Sequence, residues 1–311
     1  MSTSNGISSE LPIAKFRVVD IQKLGHGDHA EKEKLYLAAK HDGFFYLNFE
    51  SMSELDEFEG VLNGIYTLQD HLFNLPEEEK MKFDVDKQGP MKLNGYKPVG
   101  RNIGGVGGKH DGFESWAIPK DGVLEIGEFP FSKPGVIDSQ RAMLGRFMHY
   151  MQAGQLFHRD QHPSPCILRL LKYHEQPLTE RGAVQTPHTD LGSLTILFTS
   201  QPGLQVLPKG STDAWEFVAP RERSAIVNIG DVLAMMTGGA LHSSLHRVGP
   251  LPNRRMETRY SFAYLQRPEA HTILKTGGEE ISSEEWLRRK FDMLRKDTYT
   301  HYQQWILTGR Q

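Results

Sequence analysis

The stretch Gln185–Ser200, QTPHTDLGSLTILFTS, decides how this chain is read. Its second half holds Leu194–Phe198, a β-branched and apolar run that predicts a strand. Carried back through the first half, strand alternation sends His188 and Asp190 to one face. A neutral nitrogen donor beside an anionic oxygen donor supplies two of the three ligands that can hold a divalent metal on one side. Alone the pattern is weak: with 14 His and 39 acidic residues, chance gives roughly two His-x-acid matches. Four occur, at His26/Asp28, His29/Glu31, His158/Asp160 and His188/Asp190. The first two flank a Gly-rich turn and a helix start, with Asp28 as an N-cap. The third closes a helical stretch, where positions i and i+2 diverge. Only His188/Asp190 leads into a strand.

The third ligand has to come from further along, and His246 in SSLHRVG is the candidate. His242, four residues earlier, would make an H-x-x-x-H pair on a helix. Gly238 and Gly239 argue against a helix there, and no Glu follows His242 as the zinc-protease motif requires. On a strand 242 and 246 share a face; His246 is preferred because it precedes the Gly249-Pro250 turn. Two His and one carboxylate with open positions opposite form the facial triad of non-haem Fe(II) oxygenases.

A second constellation follows in Arg259-Tyr260-Ser261. On a strand Thr258–Leu265, Arg259 and Ser261 point the same way and Ala263 continues that face. A buried guanidinium needs a counter-charge. Beside a hydroxyl it suits a ligand carboxylate held bidentately, with an internal Asp or Glu as the plainer partner. Tyr173, on a predicted strand Ile167–Tyr173, adds a phenol to the same set.

Around these residues the chain reads as α+β with a mainly β core. Helices are expected over Ala30–His41, Leu55–Leu75, Ser139–His158 and Ser282–Ile306, the last opened by a Ser282/Glu285 capping box. Strands are expected at Phe16–Ile21 and Phe44–Leu47, and then in close succession at Ile167–Tyr173, Leu194–Phe198, Leu204–Leu207, Trp215–Val218, Ala225–Asn228, Val232–Met236, Ser243–Val248 and Thr258–Leu265. Short strands separated by Gly, Pro and Asp indicate a sandwich or barrel. The Gly- and Pro-rich segment 88–135 reads as an irregular cover over a pocket. It lacks the P-loop pattern, because Lys109 is followed by His110. Residues 1–12 read as a polar tail, and 13–311 as one domain: a helical part 13–160, a β core 161–270 and a closing helix within 271–311.

Composition narrows the partners. A net charge of −3 without a basic block favours neither nucleic acid nor an anionic membrane. The one cysteine, Cys166, excludes an intramolecular disulfide framework and suits a reducing interior. No apolar run approaches ~18 residues and no leader is evident, so a cytoplasmic location is expected.

Taken together, HTDLGSLTILF, the GLQV of Gly203–Val206, the VNIGDVL of Val227–Leu233, the HRV of His246–Val248 and RYS resemble the isopenicillin N synthase-like branch of the Fe(II)/2-oxoglutarate-dependent oxygenases. HDGFFYL and LPEEEKMKF upstream resemble that family's N-terminal region, so the likeness spans roughly 12 to 270. It implies a double-stranded β-helix (jelly roll) with N-terminal helices, and iron on His188, Asp190 and His246. It also implies that Arg259 and Ser261, joined by Tyr173, hold the distal carboxylate of 2-oxoglutarate. O2 would be the oxidant, ascorbate a candidate reductant, and a small natural product the substrate, hydroxylated, desaturated or rearranged. Phe113, Trp116, Phe131 and Leu265 are candidates to line the substrate pocket. Two departures concern the subgroup: Leu171-Lys172-Tyr173-His174 lacks the Asn and Pro of N-x-Y-P, and Thr237-Gly238-Gly239 replaces T-N-G. An O2-dependent oxidase without 2-oxoglutarate and a non-catalytic binding barrel remain the alternatives.

Overall fold

The computed structural model describes residues 11–102, 110–152, 161–175, 185–252, 257–276 and 278–294. The expected tail, His158/Asp160 and the end of the closing helix therefore lie mostly or wholly outside the described residues. Fourteen strands are described. They are β1 (Val18–Asp20), β2 (Phe44–Asn48), β3 (Gly95–Lys97), β4 (Phe113–Pro119), β5 (Ile167–Tyr173), β6 (Gln185–His188) and β7 (Leu194–Phe198). There follow β8 (Leu204–Val206), β9 (Glu216–Phe217), β10 (Ser224–Ile229), β11 (His246–Val248), β12 (Arg259–Gln266), β13 (Ile273–Thr276) and β14 (Glu279–Ser282).

Eight strands form one sheet in the order β1-β2-β10-β7-β12-β5-β4-β3, and four form a second in the order β6-β11-β8-β9. The inner faces meet where Phe44, Tyr46 and Ile226 of the large sheet pack with Leu204 and Val206 of the small one. Phe113, Leu171 and Tyr173 meet Val248 in the same way further along. Two sheets closed on a shared interior make the jelly roll expected from the strand spacing.

The outer face of the large sheet is covered by helices Leu55–Phe73 and Arg141–Gln152. The first presents Phe58, Val61, Ile65, Leu68 and Leu72 at helical spacing, and the second Leu144, Phe147 and Met148. They pack on Leu168, Leu170, Ile196, Phe198, Phe262 and Tyr264 in the main core. Gln69, wholly buried on the long helix, donates its Nε2 to the carbonyls of Leu171 (2.8 Å) and Ser261 (3.1 Å). That bond ties the helix to the two strands that carry Tyr173 and Arg259.

Three expectations need correction. Segment 88–135 is not simply a loop: β3 and β4 lie within it, and every residue of β4 is buried in the sheet. The strand was hard to read because Glu114 interrupts its apolar run. Val232–Met236 is not a strand but part of a helix, Asp231–Met236. Its Leu, Ala and Met favour helix, and Gly230 opens it from an extended conformation. Finally, the strand carrying His188 ends there, so Asp190 is not placed by strand alternation.

Glu114 compensates its burial locally. Its Oε2 accepts from Lys80 Nζ (3.0 Å) and the Tyr96 hydroxyl (2.7 Å), while its Oε1 lies 2.8 Å from His174 Nε2. Burial raises the carboxyl's affinity for a proton, but His174, Tyr96 and Lys80 outweigh it and hold the group at about 2. A depressed carboxylate contributes stability that is present above its unfolded value, near 4.5, and is lost as pH falls toward 2. Denaturant titrations across that window should show this loss in the wild type and not in Glu114→Gln. The variant should also be less stable at neutral pH, by about 3 kcal/mol, because Lys80 loses a buried partner.

Candidate metal centre

Two strands of the small sheet supply two imidazoles. His188 ends β6, His246 begins β11, and the two are direct partners in the antiparallel register, with ring centroids 4.4 Å apart. His188 Nδ1 lies 2.8 Å from the Thr186 carbonyl, and His246 Nδ1 lies 3.1 Å from that of Ser244. Carbonyls only accept, so each Nδ1 carries the proton and each Nε2 presents a lone pair inward. The Phe44 ring sits edge-on to His246 at 5.5 Å and holds its plane.

Asp190 is placed by the turn that follows β6. Its carbonyl accepts from Asp231 N (2.8 Å), Gly230 N donates to Ser193 O (2.9 Å), and Val232 N donates to Gly192 O (3.1 Å). These contacts demand glycine. A Cβ on Gly230 would lie 2.2 Å from Gly192 O, and one on Gly192 equally close to Gln266 O. The side chain is then aimed by Asn228, whose Nδ2 donates to Asp190 Oδ2 at 2.8 Å. The result brings Asp190 within 3.9 Å of His188 Nε2 and 3.8 Å of His246 Nε2, and all three ligand atoms lie within 4.8 Å of one another.

Electrostatics suit a cation. Burial and the neighbouring His246 push His188 down to about 4, so it is neutral and able to ligate at physiological pH. Burial opposes the charge on Asp190, but the two imidazoles and Asn228 hold it at about 2. Side-chain exposures of 30%, 13% and 8% for His188, Asp190 and His246 leave one side of the cluster open to a ligand.

The second constellation assembles as the alternation predicts. Arg259 Nη1 donates to Ser261 Oγ (3.1 Å), and its guanidinium carbon lies 5.0 Å from the centroid of the Tyr173 ring. Arg259 is 2% exposed, yet its Nη2 has no hydrogen-bond partner among the described residues. No acidic group pairs with it there, so a guanidinium edge is left facing the interior, as a bound carboxylate requires. The Tyr173 hydroxyl donates to Gln185 Oε1 (2.8 Å), and Gln185 Nε2 lies 3.2 Å from His188 Nε2. That amide rests on the lone pair a metal would use and has to turn aside for one to bind.

Of the proposed pocket residues, Phe113 lies beside Tyr173 on the inner face, and Leu265 lines the interior with Ala117, Ile167 and Ala263. Trp116 is on the other side of β4, packed at a tilt against Tyr96 and Phe83 in the main core, and Phe131 packs over Gly122 outside the interior. Aromatic content alone could not distinguish the two faces of an unrecognised strand. His242 takes no part in the cluster; its backbone N–H caps Ala39.

Three supporting residues were not singled out by the sequence reading. Gln185 turns inward because a bulge shifts the β6–β11 register, pairing Val248 with Gln185 after His246 with His188. Asn228 lies on β10 opposite Thr195. Asp231, pushed up to about 6 by burial, accepts from Ser243 Oγ (2.8 Å) and Thr189 Oγ1 (3.1 Å). It thereby joins the turn after His188 to the approach to His246.

Comparison with known proteins agrees. Residues 164–268 match the 2OG-Fe(II) oxygenase superfamily, and residues 16–123 match the N-terminal region described for non-haem dioxygenases in morphine synthesis. The chain is 30% identical to the 2-oxoglutarate-dependent dioxygenase frbH of a Dothideomycetidae species, over 94% of each chain. It is 33% identical to the 2-oxoglutarate-dependent dioxygenase gloE of Glarea lozoyensis, over 91% of this chain and 89% of that one. Among solved structures, a full-length Neurospora crassa protein in complex with alpha-KG and thymine superposes with a TM-score of 0.71 at 22% identity, over 92% of this chain and 98% of that one. A 2OG-Fe(II) oxygenase family protein of Caulobacter crescentus gives 0.73 at 20%, over 91% and 100%. At these identities the structures speak for the fold, and the two fungal relatives for the family. The chain is a member of the 2-oxoglutarate- and Fe(II)-dependent oxygenase superfamily.

Proposed function

We propose that this protein oxidises a small natural-product-type molecule, with Fe(II) held by His188, Asp190 and His246 and 2-oxoglutarate anchored by Arg259, Ser261 and Tyr173. One observation carries the reading. Three neutral or anionic donors converge within 4.8 Å on an interior that also holds a buried guanidinium edge lacking a partner among the described residues. Bound there, the iron with 2-oxoglutarate and O2 supplies the oxidising power, with succinate and CO2 released. The chain's own part is positional. The Thr186 and Ser244 carbonyls fix both tautomers, Asn228 fixes the carboxylate, and Arg259 with Ser261 sets the depth of the co-substrate. Leu171, Phe113, Val248 and Phe44 form dry walls that keep bulk water from the reacting centre. A reducing cytosolic location suits both ferrous iron and the lone buried thiol of Cys166. No helix among the described residues is long and apolar enough to cross a membrane.

Anaerobic addition of Fe(II) and then 2-oxoglutarate should produce a visible metal-to-ligand charge-transfer band. Iron binding without the band would favour the oxidase reading, and no iron binding would favour the inert barrel. His246→Ala and Asp190→Ala should abolish both the band and succinate release. Arg259→Leu should keep iron but raise KM for 2-oxoglutarate on the order of 10- to 100-fold, the loss expected for a charge-assisted pair. Asn228→Ala and Asp231→Ala should weaken iron binding by about 10- to 100-fold, measured by chelator competition, without changing affinity for 2-oxoglutarate in the iron-saturated protein.

A further inference from the structure

We propose that Arg169 anchors a carboxylate on the primary substrate, which places that substrate among small acids with a compact apolar body. This rests on the reading of the metal and co-substrate sites above. Arg169 lies in the middle of β5, on the same face as Leu171 and Tyr173, and so points into the interior. Its direct cross-strand partners are Ala117 on β4 and Ala263 on β12. The row continues to Gly95 on β3 and Leu197 on β7. Three of these four residues are Gly or Ala, so the guanidinium stands over open ground rather than in a packed slot.

Of the other interior cations, Lys97 has a counter-charge and Arg267 a carbonyl partner, whereas Arg169 has neither among the described residues. Lys97 Nζ meets Asp111 at 2.7 Å and also donates to the Phe113 carbonyl at 2.7 Å. Arg267 donates its Nη1 to the Pro165 carbonyl at 2.7 Å, at the far end of the sheet. Arg259 is reserved for the co-substrate. Arg169 makes no hydrogen bond or ion pair within the described residues, and its Nε is fully buried without a partner. Burial works against its charge, while Tyr173, Asp190 and Asp111 are near enough to favour it. Of these, Asp190 would be committed to the metal and Asp111 is already paired with Lys97. A half-buried guanidinium with no counter-charge among the described residues suits an incoming anion, and its planar fork matches a carboxylate. Beside it Ala117, Ile167, Ala263 and Leu265, with Leu93 and Leu197, form an apolar wall for the rest of the molecule.

The test uses the wild-type protein, loaded anaerobically with Fe(II) and saturating 2-oxoglutarate. It is titrated with benzoate, phenylacetate and hexanoate, and with their primary amides. The acids should perturb the charge-transfer band, and stimulate succinate release once O2 is admitted, while the amides should not. Arg169→Leu should weaken the response to the acids on the order of 10- to 100-fold with 2-oxoglutarate affinity unchanged, and Arg169→Lys should recover part of it. The unchanged 2-oxoglutarate band also reports that the variant is folded. Three results overturn the inference alone: amides acting as well as acids, none of the acids perturbing the band, or Arg169→Leu weakening 2-oxoglutarate itself. Absence of the band in the wild type is a different failure, which removes the proposed function and this inference with it.

Discussion

The cross-strand pairing of His188 with His246 is the constraint on which the site depends. Antiparallel register puts directly opposed side chains within contact distance on one face, and a slip of one residue would send either imidazole to the other side of the sheet. The β6–β11 ladder shifts by one residue after the His pair, so that Gln185 faces inward as well, although three positions separate it from His188. Pro187 can stand in β6 because that strand is the edge of its sheet and has only one neighbour to bond.

Asp190 is fixed by a different device. The strand has already ended, and a turn built on two glycines brings Gly192, Gly230 and Gln266 together closely enough that no side chain would fit between them. Asp231 then acts as a clasp. Its backbone holds the Asp190 carbonyl, and its carboxylate receives the hydroxyls of Thr189 and Ser243, one on each ligand-bearing arm. The geometry of three ligands separated by up to 58 positions in sequence thus depends on one buried acid that touches none of them through its side chain.

Much of this was legible in the sequence because it rests on local rules. Strand alternation placed Arg259, Ser261 and Ala263 on one face, and the structure agrees. The helix over Leu55–Phe73 follows from its 3.6-residue apolar spacing. His188 and Asp190 were paired by alternation, and they do meet, but for another reason: a glycine turn rather than a pleat. What stayed hidden depends on long-range pairing. β4 is buried on both faces, so Glu114 looks like a loop residue until Lys80, Tyr96 and His174 arrive from three other segments to compensate it. Trp116 and Phe113 are three residues apart, yet they serve opposite sides of the sheet, a distinction that exists only once the strand is recognised.

The most direct test of the account is anomalous diffraction at the iron edge from crystals grown anaerobically with Fe(II) and 2-oxoglutarate. The account predicts one strong peak, bounded by Nε2 of His188, a carboxylate oxygen of Asp190 and Nε2 of His246, with the Gln185 amide turned away and a carboxylate on the free edge of Arg259. Iron bound elsewhere, or a peak that leaves any of these three side chains out of coordination, would contradict it.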